Sequence, residues 1–152
     1  MIRSKNRMML CISLIVCNIA FIWVNSMLPR EVSAAFSKLV GRIMDWFLPS
    51  QGILAEGEGN GILRKIAHFT EFCTLGILTS WLAQMLYCKK WQGIVIPFAF
   101  GVSVACIDEL IQKFNPGRGP GFLDVCIDAA GVALGIGILI GIAYGKRKKT
   151  VQ

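Results

Sequence analysis

Four stretches of this chain are apolar over a length that suits a bilayer. They run from Met8 to Leu28, Ile66 to Tyr87, Trp91 to Ile111 and Phe122 to Tyr144. A helix needs about 20 residues to cross the hydrocarbon. Each run is too long for a core strand, and none alternates with period two. Lipid offers no partner to a bare N–H or C=O, so only helices or closed barrels span it. The expectation is an all-α membrane protein: a four-helix transmembrane bundle in one domain over 1–152, with spans at about 8–28, 66–87, 91–111 and 122–144.

Composition excludes the alternatives. Hydrophobic residues make up 55% of the chain and charged residues 16%, against about 25% charged in soluble domains. A soluble domain of this size leaves roughly 30% of its chain surface in water and cannot hide so much apolar area. Disorder fails for the opposite reason. The net charge of +7 would suit nucleic acid or an anionic membrane surface. The basic residues stand at the ends of the apolar runs, so membrane lipids are the expected partner and nucleic acid is not. The six cysteines form no C-x-x-C pair and read as small buried hydrophobes.

The first run follows Arg3, Lys5 and Arg7 but exceeds the roughly 7–15 apolar residues of a signal peptide. It reads as an uncleaved anchor. Orientation follows the lysines and arginines of short loops. Arg3, Lys5 and Arg7, then Lys89 and Lys90, then Lys146 to Lys149 give nine basic residues on one side, while all nine carboxylates lie on the other side or in the helix halves nearest it. Both termini are therefore expected in the cytoplasm, with the 29–65 segment and the 112–121 loop outside. Within 29–65, Val32, Ala35, Phe36, Leu39, Val40, Ile43, Met44 and Phe47 form an i, i+3, i+4, i+7 stripe. That predicts an amphipathic helix on the outer face, lying in the interface or capping the bundle. The stretch from Glu56 to Gly61 reads as a mobile loop.

The informative residues are those that do not belong in lipid. At about 1.5 Å per residue, Glu71 and Asp128 lie roughly 8–9 Å below the outer edge and Asp108 roughly 5 Å. An acid at mid-helix costs about 2.5–3.5 kcal/mol to insert, less near an interface. Three independent lipid-facing placements are improbable, so these acids should face one another. Helix faces agree: Asp124, Asp128, Gly131 and Gly135 share a stripe, as do Gly101, Ala105, Asp108 and Gln112. Small residues let backbones approach. Lys65, His68 and Glu71 form one slanting row. An outward-opening polar pocket is expected at the top of a tight bundle. Counting Asp108, Glu109, Asp124, Asp128 and Glu71 against Lys65, Lys113 and Arg118 leaves it at −2 with His68 neutral. A surplus of carboxylates beside an imidazole suits general acid and base work.

Three motifs carry a resemblance: Lys65-x-x-His68-Phe69; Asp108-Glu109-x-x-Gln112-x-Phe114-x-Pro116-Gly117-Arg118; and Asp124-x-x-x-Asp128-x-x-Gly131-x-x-x-Gly135. Together they resemble the VanZ-like family of bacterial integral membrane proteins, over roughly Met8 to Tyr144. Phe72 stands where that family usually has Tyr, and Asp128 where it usually has Asn. The resemblance implies the plasma membrane of a bacterium, cell-envelope biology and an effect on susceptibility to teicoplanin-type lipoglycopeptides. It implies no particular reaction and no particular cofactor.

Several readings of the pocket stay open. A lipid-linked or lipid-tailed envelope molecule could be held by Lys65, Gln112, Arg118, Asp124 and Asp128, with His68, Glu71, Asp108 and Glu109 positioning or protonating it. His68 with one carboxylate could serve a membrane-embedded enzyme. His68, Glu71, Asp108 and Asp128 could take a divalent ion. Salt bridges and hydrogen bonds could simply fasten the helix ends of a non-catalytic scaffold. Arg118, in a glycine-rich turn, could fold over Asp108 or Glu109 as a lid. Gly137, Gly141 and Gly145 read as a packing stripe.

Overall fold

A computed structural model describes residues 2–28, 59–87, 89, 91–114 and 121–150, together with Val32 and Ala35. Four helices follow in order: α1, Ile2–Met27; α2, Gly59–Leu86; α3, Gln92–Lys113; and α4, Phe122–Thr150. Among the described residues there is no strand. The expected amphipathic helix falls outside them, apart from Val32 and Ala35, both exposed.

The helices outrun the apolar runs. α1 starts within the basic N-terminus and α4 continues through Lys146 to Lys149. Lysine and arginine are good helix formers, and a helix does not need lipid once nucleated. α2 begins at Gly59, so Gly59, Asn60 and Gly61 are helical rather than part of the expected loop. Glycine and asparagine are tolerated where a helix starts.

Lys5–Met27, Gln92–Lys113 and Phe122–Gly145 are long and apolar enough to cross a membrane. α2 completes the bundle and packs against all three others. That central position explains its polar content: Thr79 and Ser80 are buried, and the exposed Thr70 and Thr74 turn their hydroxyls back onto the carbonyls of Ala67 and Thr70. The bundle's outer surface is apolar. Leu10, Val16 and Phe21 of α1, Val95, Phe100 and Ile107 of α3, and Leu134 and Ile142 of α4 are all exposed. Water would penalise such a surface; lipid does not. Inside, Cys11, Ile15, Ile22, Phe72, Leu75, Val104, Ala105, Val132 and Ile136 form one core. Cysteines divide between the two environments: Cys11 is buried and Cys73 partly so, whereas Cys17, Cys106 and Cys126 are exposed, against the expectation that they are buried.

α2 and α4 run in backbone contact. A Cβ at Gly131 would lie 2.5 Å from the Phe69 carbonyl oxygen; one at Gly76 or Gly135 would collide with the carbonyl of Val132 or Cys73. A Cβ at Gly137, Gly141 or Gly145 would meet nothing within 4 Å among the described residues. They are therefore not a packing stripe within the described bundle.

Pro97 sits buried inside α3. It has no N–H, so the carbonyl four residues earlier loses its helical donor. That carbonyl belongs to Gly93, and the Ser80 hydroxyl of α2 donates to it at 3.1 Å. Ser80→Ala is expected to cost about 1 kcal/mol, within the measured range for interhelical hydrogen bonds. In a Pro97→Ala background the cost should vanish, because the substituted residue regains an N–H and restores the intrahelical donor. Denaturant unfolding of the four proteins in detergent reads the coupling.

Candidate functional site

One end of the bundle gathers its buried charge. Asp108 is fully buried, Asp128 2% exposed, Glu109 6% and His68 8%. These side chains come from three helices, and a layer of polar residues holds them.

The first link runs to α1. Asn25 donates to Glu71 Oε1 at 2.8 Å. Glu71 Oε2 lies 3.6 Å from His68 Nδ1, and Asp108 Oδ2 lies 3.9 Å from the same nitrogen. Gln112, one turn beyond Asp108 on α3, donates to Asp108 Oδ2 at 2.8 Å and approaches Ser26 Oγ at 3.3 Å. Asn25 and Ser26 were not singled out from the sequence. They stand at the C-terminal end of the first apolar run, level with Glu71 and Gln112.

The second link ties α3 to α4. The Gly121 amide, at the start of α4, donates to Glu109 Oε2 at 2.9 Å. The first amides of a helix have no internal partner and carry partial positive charge, so a carboxylate belongs there. Asp124 sits in the first turn of α4 and pairs with Lys65 at 3.6 Å, half exposed on the lysine side. That pair is worth little to stability. The slanting row of α2 thus divides: Lys65 reaches the rim, His68 the centre, and Glu71 turns toward α1.

Between α2, α3 and α4 a cleft opens, lined by Arg64, Lys65, His68, Glu109, Gln112, Asp124, Ile127 and Asp128. Its free volume is about 10 Å³, room for about one water. Arg64 joins the cleft, although nothing in the sequence sets it apart from Lys65. Glu71 and Asp108 line no part of the cleft; they sit behind it, toward α1. Arg118 falls outside the described residues, so its expected lid over Asp108 or Glu109 does too. Lys113 is exposed.

Asp128 is buried among acids. It faces the like charges of Asp108, Glu109, Asp124 and Glu71. Among the described residues no hydrogen bond and no lysine or arginine answers it. A ring nitrogen of His68 and carboxylate oxygens of Asp108 and Asp128 all lie within 4.8 Å of one another. An imidazole between carboxylates can pass a proton, and the same three donors can surround a cation.

Searches of curated proteins and of solved structures returned no match. The family model described as VanZ/LLP1 matches residues 9–144, which takes in the greater part of every helix of the bundle and every residue of the cleft. With nearly its whole length matched, the chain belongs to the VanZ/LLP1 family.

Proposed function

We propose that this membrane protein works at the outer leaflet of a bacterial plasma membrane. It binds the polar head of a lipid-linked or lipid-tailed envelope molecule and so alters susceptibility to teicoplanin-type lipoglycopeptides. The observation that carries this reading is a buried cluster of acids and one histidine, drawn from three helices, opening at a cleft with Arg64 and Lys65 on its rim. Insertion of such residues is costly and marks a working surface in membrane proteins by default. The basic residues at the opposite end favour cytoplasmic termini and an outward cleft.

Roles follow from position. Lys65 and Arg64 meet an anionic or amide head group at the rim, with Arg118 expected beside them. Asp124, Asp128 and Gln112 set the acceptor and donor pattern of the wall. His68, backed by Glu71, Asp108 and Glu109, positions or protonates the head. A free volume near that of one water suits a head that rests on the rim and sends a single polar group inside. A second reading, a membrane-embedded enzyme using acid and base or metal chemistry, draws on His68 standing within 4 Å of two carboxylates. A third, a scaffold, draws on the helix ties made by Gln112 and Glu109.

Expression of the wild-type chain in a susceptible host is expected to shift the inhibitory concentration of teicoplanin. His68→Ala and Asp108→Asn should return it to the empty-vector value with membrane levels unchanged. A shift that persists in both variants would contradict the reading.

A further inference from the structure

We infer that His68, Asp108 and Asp128 form a binding site for one divalent transition-metal ion, of the Mn²⁺ or Zn²⁺ kind. The inference deepens the proposed pocket and rests on that pocket being a working site.

The geometry is the first support. The three donors come from α2, α3 and α4, all three residues are buried, and their donor atoms lie within 4.8 Å of one another. Donors around one ion at about 2.1 Å stand roughly 3.4 Å apart in a tetrahedral set. Small side-chain rotations close the difference.

The second support is independent of that spacing. Asp128 is 2% exposed and lines the cleft, yet among the described residues no hydrogen-bond donor, lysine or arginine meets its carboxylate. Glu109 Oε1, buried on the same cleft, has no hydrogen-bond partner among them either. A buried carboxylate facing other carboxylates needs a compensating positive charge. Lys65 does not supply it, because it pairs with Asp124 at the exposed rim, and the charge of Arg64 acts on Glu109 rather than on Asp128.

The third support is the outer layer. Ligating carboxylates and imidazoles are typically oriented by further hydrogen bonds. Gln112 donates to Asp108 Oδ2, and Glu71, itself held by Asn25, lies beside His68. The donor set narrows the ion. One imidazole with two carboxylates is borderline in softness, which suits Mn²⁺ or Zn²⁺ better than Mg²⁺ or Ca²⁺, whose sites are built from oxygen. Three protein donors leave coordination positions facing the cleft, as in open sites.

The test uses the purified full-length chain in detergent, stripped with chelator and titrated with Mn²⁺ alone. One equivalent is expected to bind, and the bound ion should show a directly coordinated ¹⁴N by pulsed electron paramagnetic resonance. His68→Gln should abolish that nitrogen coupling. Asp128→Asn should weaken binding by about 100-fold or more, and Gln112→Ala by about 10-fold, the range for outer-layer changes. Circular dichroism confirms that each variant is folded, and Asp128→Asn, nearly isosteric, keeps the test open if His68→Gln fails to fold. Absence of saturable binding to the wild type overturns the inference. Binding without a nitrogen coupling, or binding that survives both substitutions, overturns it equally. The drug-susceptibility assay reads the pocket's function separately. Metal binding with no susceptibility effect leaves this inference standing and removes the functional reading; the reverse result removes the metal alone.

Discussion

Gly135→Val is expected to destabilise the bundle by about 3 kcal/mol or more, the upper range for overpacking. A side chain at 135 has nowhere to go, since its first carbon would collide with the Cys73 carbonyl of α2. Backbone cannot rotate aside as a flexible side chain can, so α4 must move away from α2. That movement would also pull Asp128, two turns earlier on the same face, away from His68. Gly141→Val is the control. It has the same residue change on the same helix, but among the described residues no neighbouring element lies within 4 Å of a Cβ placed at 141, and its effect should stay within about 0.5 kcal/mol. Reversible unfolding in mixed detergent micelles compares the two. Equal effects would show that α2 and α4 are not in backbone contact.

The second large effect has the opposite sign. Asp128→Asn is expected to stabilise the metal-free protein by about 1–3 kcal/mol, in the way that removal of poorly compensated buried charge often does. The carboxamide has nearly the same shape, ends the repulsion from Asp108, Glu109, Asp124 and Glu71, and brings a donor that those acids can accept. The variant should be firmer and should bind Mn²⁺ less well, a trade-off common where a site is built against stability. A scaffold whose charges only fasten helices predicts the reverse, a loss of stability with function intact. Thermal unfolding in chelator separates the cases.

How much of this could be read from the residues alone differs from element to element. The apolar runs gave the helices, because lipid permits so few alternatives. The burial of Gly101, Ala105, Asp108 and Gln112 on α3, and of Asp128, Gly131 and Gly135 on α4, follows from helical periodicity combined with the cost of acids in hydrocarbon. Other features were not legible. Asn25 and Ser26 sit at the end of an apolar run, where a polar residue ordinarily faces the interface. Only the packing of α1 on α2 and α3 turns them onto Glu71 and Gln112. Ser80 meets Gly93 because Pro97 frees a carbonyl, a pairing that depends on how two helices face each other rather than on either one. Gly137, Gly141 and Gly145 show the converse failure: a small-residue spacing suits packing, but it does not say that a neighbour is present. Arg64 was overshadowed by Lys65, since two adjacent cations on a helix point in different directions and sequence alone does not rank them.

Acids from separate helices share one buried chamber with His68. A double-mutant cycle on the metal-free protein tests it most directly, with Asp108→Asn and Asp128→Asn made singly and together and unfolding free energies measured. Each substitution relieves the other's repulsion, so the double variant should gain less than the two single gains combined, by at least about 0.5 kcal/mol. Gains that add within about 0.3 kcal/mol would place the two carboxylates in separate surroundings and contradict the account.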